Sequence, residues 1–425
     1  MMQRSFWVLL HRWAGLYMAF FLIVAGATGS ILAFSPEIVR ALVPTLVVQA
    51  QEQPMLDGFE LRRRALALIP EQGKLEGLNL HRLPTDAFIA AIEPRLDADG
   101  KPYVLPFNFL LLNPYTGAEI ERIRYDGAIW PITRLNFTSF IISLHFRLAI
   151  PGSVGTWLFG IAALIWTLDC FISAYLTFPV SIQRRRREEG VSDGVPYKSW
   201  WSRWHPAWLV KWRGSAYRIN FDLHRAGGLW VWLMLLVLAW SSVGLNLNQE
   251  IYVPTMKAVF GMPDPNGDIP DLKTPKNAPA LGLEQAYAVG QTLITQQATT
   301  HHFTVHYAEA LYYNPAKGVY TYSVHSDRDL NDMGGGSNVT FDGDTGQFLS
   351  LSLPTGQNAG TTVNSWILAL HMAQIWGLPF KIFLCLLGLV IVMLSVTGVY
   401  IWIKKRRARM CRSPVHKLRS NRETA

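Results

Sequence analysis

Residues 9–21 read LLHRWAGLYMAFF and residues 222–234 read DLHRAGGLWVWLM. Each opens on Leu-His-Arg, sets a glycine four positions after the histidine, and then runs apolar. The first continues without a charge from Trp13 to Phe34, and the second from Leu229 to Leu247. Two further runs of spanning length follow, from Val154 to Phe178, broken only by Asp169, and from Ile382 to Ile403. Half of the 425 residues are hydrophobic, 16 are Trp and only 16% are charged, a composition unusual for a soluble enzyme of this size. The sequence therefore predicts a membrane helical bundle of four spans.

Charge sets the orientation. Arg184–Arg187 and further cations lie between spans two and three, and another basic cluster, KKRRARMCRSPVHKLR, follows span four. Short basic loops stay in the cytoplasm, so both termini are expected there. The two long segments then lie across the membrane, in the periplasm of a bacterium, and the expected location is the inner membrane. The net charge of +9 is accounted for by this topology, and no nucleic-acid site is read from it. Arg4 ahead of a long apolar run reads as an uncleaved anchor, since the run exceeds a signal-peptide core. Cys170, Cys385 and Cys411 fall in spans or tail, which leaves no disulfide framework outside the membrane.

Sliding one half over the other shows an internal repeat. His11, Arg12, Gly15 and Leu16 meet His224, Arg225, Gly228 and Leu229 at an offset of 213. LLLNPYTGAEI meets VTFDGDTGQFL, SLHFRLAIPG meets ALHMAQIWGLP so that His145 falls on His371, and ISAYLTFP meets TGVYIWIK. Each half is span, exterior domain, span, and two halves inserted in the same sense imply a pseudo-twofold axis along the membrane normal. The expected boundaries are a first span at 1–35, an α+β domain at 36–140, and a second span with its preceding ligand segment at 141–180. A basic, Trp-rich cytoplasmic loop follows at 181–222, then a third span at 223–247 and a second α+β domain at 248–364. A fourth span with its ligand segment occupies 365–404, and a basic tail 405–425. In each domain a helix (GFELRRRALALIPEQG, ALGLEQAYAVGQTLITQQ) is expected on an antiparallel meander of strands such as DAFIAAIEP, HHFTVHYA and GVYTYSVHS. NPYTG and DGDTG supply the tight turns.

The repeat puts four histidines at four membrane boundaries. His11 and His224 begin outward-running spans, while His145 and His371 precede inward-running ones. Roughly 30 Å of hydrocarbon separates the two levels, so the pairs available are His11 with His224 and His145 with His371. Two imidazoles facing across an axis suit the axial positions of a b-type haem with no open coordination site, an arrangement for electron transfer rather than oxygen binding. Gly15, Gly26, Gly29, Gly227 and Gly228 offer room for a porphyrin face, or equally for close helix packing. Arg12, Arg225 and Arg147 are candidate partners of haem propionates, with interfacial snorkelling the alternative.

These motifs resemble the PepSY-associated transmembrane family of iron-regulated inner-membrane proteins, over nearly the whole chain. The resemblance implies two PepSY-like exterior domains and two b-type haems ligated by His11, His145, His224 and His371. It also implies the activity of a ferric-siderophore reductase moving electrons toward the periplasm. Some relatives carry a fused flavin and nicotinamide module, but no Gly-rich dinucleotide fingerprint occurs here. The electron donor, quinol or a cytoplasmic reductase, is therefore open, as is the ferric siderophore or other chelate. The family also admits a second class of function, a non-enzymatic binding or peptidase-regulating membrane protein, because PepSY modules resemble peptidase propeptides.

Asp169 within the second span is a candidate partner of a cytoplasmic-side ligand, a proton relay, or a structural hydrogen-bonding group. His301, His302 and His306 stand close together, and on one strand His302 and His306 would share a face. No acid or cysteine with metal-site spacing accompanies them, so a surface strand is the expectation. Trp200, Trp204, Trp208 and Trp212, spaced by four among basic residues, predict one helix lying on the lipid interface. Four spans with no broken helix leave little room for a transport pathway.

Overall fold

The computed structural model describes residues 4–75, 77–180, 199–263, 269–332 and 334–420. The basic run QRRRREEG lies outside the described residues. The chain divides into two compact units, one of Met1–Ala33, Ile141–Tyr252 and Leu378–Ala425, the other of Phe34–Phe140 and Val253–Gly377.

The first unit is helical. Its long helices are α1 (Arg4–Leu32), α5 (Val154–Thr177) and α12 (Gly377–Ser420), each long and apolar enough to cross a membrane. Small residues allow close packing. A Cβ on Gly160 of α5 would lie 2.6 Å from the side chain of Leu247, which follows the helix Trp232–Asn246, so only glycine fits that contact. The expected straight third span is instead a bent pair, α7 (Ala216–Trp230) and α8 (Trp232–Asn246), inclined by 73° at Val231. Ser215 caps α7 by accepting from the Arg218 N–H. Trp230 and Trp232 flank the break, and their indole N–H groups donate to the carbonyls of Trp208 and Cys170 at 3.0 and 2.8 Å, residues distant in the chain. The expectation of no broken span is thereby corrected: among the described residues there are three candidate spans plus this bent pair.

The Trp-rich segment is not one helix either. A short α6 (Trp200–Trp204), capped by Ser199, gives way to a 3-10 turn at His205–Trp208, with Trp212 beyond it. Pro206 lacks the N–H that a continuing α-helix needs.

The second unit contains both α+β modules. The short helices α2 (Ser35–Leu42) and α9 (Val253–Phe260) open its two chain segments. In the first module α3 (Gly58–Leu68) covers a sheet of order β1-β3-β4-β5, formed by Gly73–Leu75, Phe88–Pro94, Phe109–Leu112 and Glu119–Ile123. Its core joins Leu61 and Ala65 of the helix to Phe88, Ala90, Ile92, Leu110 and Leu112. The alternating burial of β3 supplies the inward face. In the second module α10 (Leu283–His301) covers β6 (Val305–Asn314), β7 (Val319–Ser326), β8 (Ser337–Asp342) and β9 (Phe348–Ser352). The short β2 (Leu78–Asn79) belongs to the first module in sequence but pairs with β6, Leu78 opposite Leu311, and so becomes the edge of the second sheet. Leu78 is 2% exposed within that sheet's core, which explains why the modules do not separate.

The two turns read from sequence share one geometry. Asn113 Oδ1 accepts the N–H groups of Tyr115 and Thr116, Asp342 Oδ1 those of Asp344 and Thr345, and Gly117 and Gly346 take φ of 68° and 72°. HHFTVHYA is not a continuous strand. His301 closes α10, His302 is its left-handed cap at φ 53°, and only His306 lies on β6, so His302 and His306 share no strand face.

Candidate functional site

His11 on α1 and His224 on α7 face one another with ring centres 6.2 Å apart and planes inclined by 53°. Each ring is fixed through Nδ1. His11 contacts the Asp169 carboxylate of α5 at 2.9 Å, and His224 donates to the Leu394 carbonyl of α12 at 2.9 Å, with the Thr397 hydroxyl at 3.2 Å. Hydrogen bonding at one ring nitrogen sets tautomer and orientation and leaves the other as the ligating atom. Nε2 of each histidine is thus the nitrogen available to a metal. Asp169 is buried, and Asp222, two residues before His224 on α7, is fully enclosed.

The two rings border a cavity of about 500 Å³, within the range of cofactor sites. Gly15 and Gly228 line it. A Cβ on Gly15 would meet nothing within 4 Å, and one on Gly228 would meet only Leu394 Cδ2 at 3.9 Å. The other glycines serve different ends. A Cβ on Gly26 would stand 2.6 Å from the Gly388 carbonyl, which is close helix packing, and one on Gly227 would meet Met393 at 3.1 Å. Gly29 instead makes room for the His145 ring, whose Cε1 lies 3.1 Å from its ideal Cβ, and Gly398 does the same for His224 at 3.1 Å.

Of the three arginines expected near a cofactor, Arg12 lines the cavity with a buried Nε that has no hydrogen-bond partner among the described residues. Arg225 also lines it, but its guanidinium bonds Asp222 at 2.9 Å and the Pro206 carbonyl at 2.8 Å. Arg147 is elsewhere, donating to Ser143 Oγ at 2.8 Å and lying over the Phe146 ring. Arg4, Lys405 and Arg409 add cationic character to the cavity wall.

His145 closes α4 (Phe137–Arg147) and does not line this cavity. The Thr28 hydroxyl, which donates to the Val24 carbonyl at 2.6 Å, is 2.9 Å from His145 Nδ1 and so accepts from it. His371 closes α11 (Ala359–His371) in the second unit and is half-buried. Left-handed residues follow both helices, Leu148 and Ala149 after the first, Ala373 and Trp376 after the second. The structure therefore brings together His11, His224, Asp169, Arg12 and Arg225, with His145 and His371 at the ends of other helices.

Sequence reasoning missed several of the supports. Thr28, Thr397 and Gly398 gave no signal, because small residues in apolar spans have many uses. Asp222 is held by Arg218 and Arg225 at 2.9 Å each. Among the described residues, no group of three or more His, Cys, Asp or Glu side chains is placed to hold a metal ion.

Comparison with known families gives a match over nearly the whole chain: the family model described as the PepSY-associated TM region covers residues 8–405. No curated protein matches the sequence.

Proposed function

The chain belongs to the PepSY-associated transmembrane-region family, and from that premise we propose that it is a di-haem electron-transfer protein of the bacterial inner membrane that reduces ferric chelates, such as ferric siderophores, in the periplasm. In this reading four spans, the third being the bent pair, are arranged as a two-fold repeat with both termini in the cytoplasm. The observation that carries it is the His11–His224 pair across its cavity. The two ring centres lie 6.2 Å apart, and His11 and His224 would hold the iron of a haem bound between them through Nε2. The space above Gly15 and Gly228 and the unpartnered Nε of Arg12 fit the face and an acidic edge of a porphyrin.

A haem held by these two imidazoles would supply one-electron transfer. The protein's own groups do the rest. His11 and His224 present Nε2, Asp169 and the Leu394 carbonyl hold their Nδ1 protons, and Arg12 offers a charge to a carboxylate. His145, held by Thr28, and His371 are assigned to the second haem. Ferric iron in a siderophore is held by hard oxygen donors that favour the trivalent ion, so adding one electron weakens the complex. The electron donor is a quinol or a cytoplasmic reductase.

Purified protein expressed with haem available tests the reading. Two reducible b-type haems are expected, one lost in both His11→Ala and His224→Ala, the other in both His145→Ala and His371→Ala. In liposomes with reductant inside, external ferric chelate should yield ferrous iron, and His11→Ala should stop this. A colourless protein would leave the non-enzymatic, PepSY-type binding or regulatory role as the better account.

A further inference from the structure

Strand β6 slips register twice against β7, between Val305 and Tyr307 and between Ala308 and Ala310. At such a bulge two residues oppose one, and the alternation of side chains is broken. At the first slip His306 and Tyr307 both reach His325, and His81, just past β2, stacks on the far side of Tyr307. The ring centres of His81 and Tyr307, Tyr307 and His325, and His325 and His306 are 3.9, 4.9 and 5.4 Å apart, with planes inclined by only 20°, 21° and 26°. Val324, the neighbour of His325, is buried in the core beneath α10. The row of rings therefore lies on the opposite face of the sheet. His306 is exposed to solvent, and its Nδ1 is 3.2 Å from Nδ1 of His325.

We propose that His306 and His325 bind a divalent late transition-metal ion of the zinc, nickel and copper group, with water or a small anion filling the remaining positions. Two metal–imidazole bonds of roughly 2.0–2.1 Å meeting near the tetrahedral angle hold their nitrogens about 3.3 Å apart. The observed separation is already 3.2 Å, so a turn of the two rings directs both lone pairs at one ion. In the metal-free pair one Nδ1–H donates to the other Nδ1. Metal binding moves that proton to Nε2 of the same ring, and two neutral imidazoles release no net proton. Imidazole nitrogen suits these ions, whereas an oxygen-bound ferric chelate calls for harder ligands, so the site is separate from the proposed reductase substrate.

The stack restrains the His325 ring between its neighbours, which reduces the rotamer entropy lost on binding. Only two protein nitrogens take part, and the expected site is exchangeable rather than structural.

Untagged full-length protein in detergent, titrated calorimetrically with Zn(II) and separately with Cu(II), tests the assignment. One equivalent should bind at least tenfold more weakly in His306→Phe and in His325→Phe, which keep a ring in the stack but remove the nitrogen. Binding should be unchanged in His301→Ala, whose exposed histidine ends α10. The electron paramagnetic resonance spectrum of the Cu(II) form should show two imidazole nitrogens in the parent and not in either Phe variant. Where a Phe variant melts more than a few degrees below the parent, the Asn variant of the same residue replaces it. Parent affinity in the ring-retaining or Asn variants, or loss of the equivalent in His301→Ala, overturns the proposal. Neither outcome depends on the haem reading.

Discussion

His11 and Asp169 are joined by a 2.9 Å contact between Nδ1 and a carboxylate oxygen, while His224, opposite His11, rests its Nδ1 on the Leu394 carbonyl. One ring of the pair is thus backed by an anion and the other by a neutral dipole. An anionic partner raises the donor strength of an imidazole and stabilises the more positive state of the metal it holds. Asp169→Asn should keep the haem assigned to His11 and His224, yet raise its reduction potential, and leave the second haem's potential unchanged. Spectroelectrochemical titration of the variant checks this, and an unchanged pair of potentials would show that the carboxylate only positions the ring.

The glycines make opposite predictions. A Cβ on Gly15 meets no protein atom within 4 Å, and Gly15 lines the cavity, so Gly15→Leu takes up cavity space. It should abolish the haem assigned to His11 and His224 while leaving the fold as stable as the parent. Gly26→Ala places its Cβ against the Gly388 carbonyl and forces α1 and α12 apart. A loss of about 1–3 kcal/mol is expected from such overpacking. Absorbance spectra and thermal melts of the two proteins separate the effects.

Leu78 is 2% exposed in the core of a sheet otherwise built from residues beyond 304. Leu78→Ala should cost about 2–4 kcal/mol, and the loss should appear in the melting of the second module as well as the first. Hydrogen exchange along β6 and β7 reads this directly, with faster exchange at Leu311 and its neighbours as the expected result.

The DGDTG turn predicts an acid sensitivity. The Asp342 carboxyl is held below its ordinary value chiefly by the Thr345 N–H, and that of Asp344 by Lys276 and the Ala280 N–H. Carboxyls lowered by folding contribute stability above their unfolded values, near about 3.9, and lose it as pH falls through the folded values. Melting of the parent should change little between pH 7 and 5 and fall below about 4. Asp342→Asn should melt lower at pH 7 and show a shallower acid decline. Both groups are exposed to solvent screening, so the effect is small and needs the comparison with the variant to be seen.

Much of this architecture was legible because its signals are local. The apolar runs gave α1, α5 and α12, and Asx-plus-glycine at NPYTG and DGDTG gave two turns of the same geometry. Leu-His-Arg at two places directed attention to the residues that meet at the cavity. What escaped depends on distant partners. The 73° bend at Val231 is tied to carbonyls of Trp208 and Cys170, neither of which leaves a mark on the sequence around it. His302 is a strand-like residue by neighbourhood and a helix cap by conformation. The pairing of β2 with β6 joins residues with no local cue to each other, and the bulge that turns His306 toward His325 follows from the register of that sheet.

The lone strand β2 also dictates an order of assembly. Asn79 receives its hydrogen bond from Tyr312, 233 positions later in the chain. On a ribosome, the first module is complete in sequence long before the sheet that takes its strand exists, and Leu78 must wait with its apolar side chain uncovered. Synthesis of β6 then closes two modules in one step. A nascent chain halted between its halves would thus carry an unpaired, sticky edge, open to another copy of the same chain or to a protease.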